Sequence, residues 1–216
     1  AQTVAKATKD IPIVGTAITD YVGAKLAASN EKPGGNITGT SDMNPIKEQI
    51  DLLLKIKPDA KTIGTIYCSS EVNSEVQIKA MQEYAESKGL TVKVATISTV
   101  NDLQQAAQSL VGSVDAFYEP TDNIVASAMP TLVAITDPAK IPVICAEPNM
   151  VKAGGLATYG IDYYKLGVQT GHMAADILEG KSKPADMSIE RAKDLKVTVN
   201  KADAARLGVT LPGAEG

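Results

Sequence analysis

The chain of 216 residues contains no tryptophan, one phenylalanine, one histidine and two cysteines. Each shortage excludes something. Sugar sites commonly use stacking aromatics, and here only seven tyrosines and Phe117 could stack, so a sugar ligand is disfavoured. His172, between Gly171 and Met173 in a helical pattern, is the only imidazole, which leaves a serine or cysteine nucleophile without its usual base. Cys68 and Cys145 stand far apart and form no metal-ligand cluster with one histidine. Each closes an apolar run and reads as a buried free thiol. Gly34-Gly35 and Gly154-Gly155 precede strand-like sequence rather than opening a helix, as a phosphate-binding loop requires. No apolar run approaches the ~20 residues that span a bilayer. The net charge is −4 and the densest basic stretch, Lys181 to Lys183, holds two lysines, which argues against nucleic acid. Together these shortages point to a protein that binds rather than transforms, with no metal and no cofactor.

What the chain does have is a series of short apolar runs ending in polar turns. The turns read Thr16–Asp20, Gly39–Asp42, Cys68–Glu71, Glu119–Asn123, Cys145–Pro148 and Gly160–Tyr163. Strands alternate with amphipathic segments of ten to sixteen residues. Thr62–Tyr67 is expected as strand and Asn73–Lys88 as helix, closed by Gly89. Thr91–Ile97 then reads as strand, Asn101–Leu110 as helix, Val114–Tyr118 as strand, Asn123–Ile135 as one helix and Pro142–Ala146 as strand. That alternation means βαβ units and a parallel sheet. Leu156–Gly160 adds a strand, Tyr163–Glu179 a long helix, and short strands are expected near Met187–Glu190 and Lys196–Val199.

In open α/β sheets ligands bind outside the carboxyl ends of strands, so the polar turns supply the candidates. Ser69 and Ser70 precede a helix start, where hydroxyls and unpaired N–H groups suit a carboxylate; a plain N-cap is the alternative. Asp122, Glu147 and Asp162 each follow a strand, and either cap the next segment or grip a ligand ammonium.

Five stretches, IPIVGTAITD (Ile11–Asp20), PGGNITGTSDMNP (Pro33–Pro45), IGTIYCSSEVNS (Ile63–Ser74), QQAAQSLVGSVDAFYEPTDNIVASA (Gln104–Ala128) and MVKAGGLATYGIDYYKLGVQTG (Met150–Gly171), resemble the ABC-transporter substrate-binding proteins of the tryptophan/tyrosine-type lipoprotein family. The resemblance implies the α/β type I periplasmic-binding-protein fold, two Rossmann-like lobes with parallel sheets. It implies residues 1–40 plus 163–180 as a remnant of the amino-terminal lobe, 41–58 as a crossover helix, and 59–162 plus 181–216 as the carboxyl-terminal lobe. Hinge crossings are expected near Ser41–Pro45, Met150–Gly155 and Asp162–Tyr164.

The implied function is capture of a small, aromatic amino acid in an interlobe cleft for delivery to an ABC permease. Ser69, Ser70 and Thr121 would meet the ligand carboxylate. Asp122, Glu147 and Asp162 would hold the ammonium, Asn73 and Asn123 would add side hydrogen bonds, and Thr19, Asp20 and Asp42 would contribute from the other lobe. Location outside the cytoplasm, as a periplasmic or lipid-anchored protein, goes with this. Ala1–Lys9 leads into Ile11–Val14 without a signal peptide, anchor cysteine or preceding strand. The amino-terminal lobe is therefore expected to be incomplete, and the chain to self-associate or bind ligand poorly. The effector-binding domain of a lac-repressor-like regulator is the alternative from another class, since it shares the fold.

Overall fold

A computed structural model describes residues 1–211. In chain order the elements are α1 (Gln2–Ala7), β1 (Ile13–Gly15), β2 (Ile37–Ser41), α2 (Ile46–Ile56), β3 (Thr62–Cys68), α3 (Val72–Ser87), β4 (Thr91–Ile97), α4 (Leu103–Val111) and β5 (Ala116–Glu119). They continue with α5 (Asn123–Ser127), α6 (Met129–Thr136), β6 (Val143–Cys145), α7 (Pro148–Lys152), β7 (Ala157–Ile161), α8 (Tyr163–Leu178), β8 (Glu190–Arg191), β9 (Leu195–Val199) and α9 (Lys201–Leu207).

Two compact units result. The first comprises Ala1–Asn44 and Ile161–Leu195; the second comprises Pro45–Gly160 and the described residues from Lys196 onward. Residues 181–195 thus lie in the first unit, not with the carboxyl-terminal lobe expected for 181–216, because β8 pairs with β2 (Thr40↔Glu190, Ser41↔Arg191). Residues 212–216 of that expected tail lie outside the described residues. Helix α2 belongs to the second unit, and Met150–Gly155, expected as a hinge crossing, lies within it.

The first unit is built on a three-stranded sheet of order β1-β2-β8, parallel throughout. Every residue of β2 is buried, while β1 is half-buried. Ala5, Tyr21, Leu26, Ile37 and Ile189 form its core cluster. Tyr21 donates its hydroxyl to the Thr40 carbonyl at 3.2 Å. That approach requires glycine at position 39: its φ is +144°, and a Cβ there would lie 1.9 Å from the Gly15 carbonyl oxygen. Helix α8 turns Leu166, Thr170 and Met173 inward at helical spacing. Thr170 Oγ1 lies 2.7 Å from Thr40 Oγ1 and donates to Thr16 Oγ1 at 3.0 Å, so hydroxyls supply part of this unit's packing.

The second unit is a six-stranded sheet of order β4-β3-β5-β6-β7-β9. Its pairs β3–β4, β3–β5, β5–β6 and β6–β7 are parallel. One apolar cluster runs from Ile66 and Cys68 through Leu103, Phe117, Met129 and Leu132 to Cys145 and Val151. On α2, Ile46, Ile50, Leu53 and Ile56 are buried, as the helical period requires. The helix expected over Asn123–Ile135 is instead two, α5 and α6, parted at Ala128 (φ −113°, ψ 16°). Pro130 has no N–H and its ring crowds the carbonyl four residues earlier, which favours a break there, and it sits instead in the first turn of α6.

Strand order fixes where this unit can bind. From β3 the chain moves outward to β4 on one side, then returns to build β5, β6 and β7 on the other. The point where the order reverses, between the carboxyl ends of β3 and β5, is where open α/β sheets place their ligands.

Candidate functional site

At that switch point β3 and β5 are in register at Ile63↔Ala116 and Gly64↔Phe117. Farther along, side chains replace main-chain acceptors. The Ile66 N–H donates to Glu119 Oε2 at 3.2 Å and the Cys68 N–H to Asp122 Oδ2 at 2.7 Å. The strands part at their carboxyl ends and two carboxyl groups bridge the gap.

Asp122 is 1% exposed and accepts four donors. Besides Cys68 these are the Ser74 hydroxyl at 2.7 Å and the N–H groups of Ile124 and Val125 at 3.0 Å. It is the N-cap of α5 and a clamp between β3 and α3 at once. Four donors fill the lone-pair positions of a carboxylate.

A ring of polar contacts continues from Asp122. Asn73 donates to the Thr121 carbonyl at 2.9 Å and to Glu71 Oε2 at 3.0 Å. Gln77 Nε2 donates to Thr121 Oγ1 at 2.6 Å, and the Thr121 N–H returns to Gln77 Oε1 at 3.1 Å. Asn123 Nδ2 donates to Glu71 Oε2 at 2.8 Å. Ser69 and Ser70, both exposed, stand beside this ring at the end of β3; Ser70 Oγ is 3.1 Å from Cys68 Sγ. The structure therefore gathers Ser69, Ser70, Asn73, Thr121, Asp122 and Asn123 at one place. Sequence reasoning missed Glu71 and Gln77 there. Gln77 had a usable signal, since it lies four residues after Asn73 and so on the same helical face.

Glu147, 8% exposed, stands apart at the end of β6. It accepts the N–H groups of Asn149 at 2.8 Å and Met150 at 2.7 Å, capping α7. One donor per oxygen leaves acceptor positions open.

In the first unit Asp42 is buried and accepts the Thr19 hydroxyl at 3.0 Å and the Tyr163 hydroxyl at 3.1 Å. Burial pushes its carboxyl above the usual aspartate range, and those two bonds pull it back. Asp20 closes a local turn by accepting the Gly23 N–H at 2.9 Å. Asp162 caps α8 through the Lys165 N–H at 3.2 Å. A surface recess of about 460 Å³ lies along α8 and the 190–194 segment, lined by Asp162, Tyr164, Gln169, His172 and Asp194 among others. Of the candidate residues it touches Asp162 alone, away from the chemistry at Asp42.

Cys68 and Cys145 are free and buried. Among the described residues no group of three or more His, Cys, Asp or Glu side chains could hold a metal, and no helix is long and apolar enough to cross a membrane.

Within each unit, polar turns at the carboxyl ends of parallel strands are where α/β sheets bind ligands, and comparison with known proteins is specific. Residues 1–214 match the family described as ABC transporter substrate binding protein, and the chain belongs to that family. It is a family of solute-binding proteins rather than enzymes, and its members are extracytoplasmic. The chain is 44% identical over 200 residues to the tyrosine-binding protein of Clostridioides difficile, covering 93% of this chain and 58% of that protein. It spans, then, somewhat more than half the length of that curated relative. A solved ABC domain from Streptococcus pneumonia, in complex with L-Trp, superposes with a TM-score of 0.92 at 41% identity, over 99% of this chain and 72% of that one. A LacI family regulator from Clostridium acetobutylicum aligns with a TM-score of 0.61 at 14% identity, covering 92% of this chain and 73% of that one. A likeness at that level shows the type I periplasmic-binding-protein fold and nothing of function.

Proposed function

We propose that this chain captures an aromatic amino acid of the tyrosine or tryptophan class and serves an ABC permease as its extracytoplasmic receptor. The observation that carries the reading is the polar ring at the β3–β5 switch point, in a chain closely related to a tyrosine-binding protein and to a domain that holds L-Trp.

Ser69, Ser70 and the start of α3 offer hydroxyls and helix-terminal N–H groups to the ligand carboxylate. Glu147, with acceptor positions open, is the better placed of the second unit's carboxylates for the ammonium. Asp122, whose four acceptor positions are filled, acts by holding the turn in place. Asn73, Thr121 and Asn123 supply side hydrogen bonds from the same ring. Membrane anchoring belongs to this reading. So does self-association through β1, an outer strand of its sheet and hence a template for pairing; size-exclusion chromatography at two loading concentrations reads that out.

Calorimetric titration with L-tyrosine and L-tryptophan tests the function. Saturable binding is expected, weakened about tenfold when Ser69→Ala and Ser70→Ala are combined. A thermal-shift screen of the twenty amino acids in which none stabilises the protein would overturn the reading.

A further inference from the structure

We infer that Glu119 is held as a neutral carboxylic acid between β3 and β5, and that it is a positioning residue for the turn Pro120–Asn123. The inference rests on the functional reading above only where ligand affinity is concerned.

Glu119 ends a strand whose four residues are all buried, and its own exposure is zero. Its main-chain carbonyl accepts the Ala146 N–H at 2.8 Å, in step with β6. The side chain points into the seam where β3 and β5 part. Oε2 accepts the Ile66 N–H at 3.2 Å, while Oε1 has no partner. No lysine, arginine or histidine among the described residues bonds to it. An ionised carboxylate buried without a cation and with one donor is very costly.

Asp122, three residues on, makes the contrast. Four donors converge on it and one on Glu119. Between two carboxyl groups in such unequal surroundings, Glu119, with one donor and no cation, is the one whose site favours the protonated form. The neutral form leaves Oε2 as a carbonyl acceptor for Ile66, and so continues the ladder without putting a charge in the apolar cluster.

The titratable groups that interact with Glu119 are Asp122 in the following turn, Cys145 on β6 and Tyr118 on its own strand. None is cationic. Burial, then the Asp122 charge, push the Glu119 carboxyl well above the usual range against the pull of the Ile66 bond. Burial likewise pushes the Cys145 thiol up. Ionising Glu119 would place a second negative charge beside Asp122 and drive the two bridging groups apart, and Thr121, Asp122 and Asn123 would move with them.

The sign follows from linkage. Glu119 binds its proton more tightly folded than unfolded, so its stabilising contribution is complete below the unfolded value of about 4.3. It is lost as pH rises through the raised folded value.

The test uses Glu119→Gln, which keeps the carbonyl acceptor and cannot ionise. The wild type is expected to show an infrared carboxylic-acid band at neutral pH that the variant lacks, and to lose stability with rising pH more steeply than the variant. Tyrosine affinity should stay within about twofold in Glu119→Gln and fall about tenfold in Glu119→Ala, which leaves the Ile66 N–H unpaired. An acid band that survives in Glu119→Gln, or identical pH slopes for the two proteins, would overturn the inference. If Glu119→Gln does not fold, the wild-type infrared titration decides: a band persisting at neutral pH supports the neutral acid, and its loss in the range of exposed glutamates overturns it. Absence of amino-acid binding would count against the functional reading alone, because the infrared and stability measurements need no ligand.

Discussion

The two units solve the same problem with different means. The second buries a large apolar cluster on one face of a six-stranded sheet and joins its strand ends with buried carboxyl groups. The first has five buried residues in its cluster and a three-stranded sheet, and relies on hydroxyl contacts among Thr16, Thr40 and Thr170 and between Thr19, Asp42 and Tyr163. It also carries the most exposed large apolar side chains, Leu178 at 87% and Tyr164 at 82%. Apolar burial sets most of a unit's stability, so the second unit is the stiffer platform, and the polar ring stands on it.

The comparison can be broken by mutation. Removing Phe117, fully buried in the second unit, by Phe117→Ala should cost about 4 kcal/mol in chemical denaturation. A cost near 1 kcal/mol would mean that the second unit's cluster is not its main support. Asp122→Ala leaves several buried donors unpaired and should cost about 3 kcal/mol, measured the same way. Asp122→Asn should recover part of that, because its carbonyl still accepts two of the donors.

Hydrogen exchange compares the units without mutation. Amides of β3 and β5 should exchange more slowly than those of β1 and α8, by a margin corresponding to about 2 kcal/mol of opening free energy. Equal protection would show that the units open together. The smallest effect belongs to Asp42, buried and raised above its usual range. Its proton stabilises the folded form fully below about pH 3.9, the unfolded value, and that contribution is lost as pH rises through the folded value. Asp42→Asn should therefore flatten the pH dependence of thermal melting between those limits. A variant whose melting follows the same pH curve as the wild type would remove Asp42 from the account.

Much of the second unit was legible in the chain, because its strands and helices follow one another and local patterns report them. Ser69, Ser70, Asp122 and Glu147 became candidates for the same reason: each follows an apolar run and precedes a helix. Glu119 stood in the same turn and was passed over, since nothing local distinguishes a glutamate that caps from one buried between strands. Gln77 and Glu71 were missed because their partners, Thr121 and Asn123, lie more than forty residues away. Residues 181–195 were assigned to the wrong unit, as a two-residue strand pairing with β2 across about 150 positions leaves no periodic trace.

The chain by itself determined the α/β class, the polar turns and the scarcity of histidine, because side-chain chemistry and hydrophobic period are local properties. Tertiary structure alone decided which turns meet. The reversal of strand order puts Cys68 beside Asp122 and Ile66 beside Glu119, and burial there gives two neighbouring carboxyl groups opposite roles.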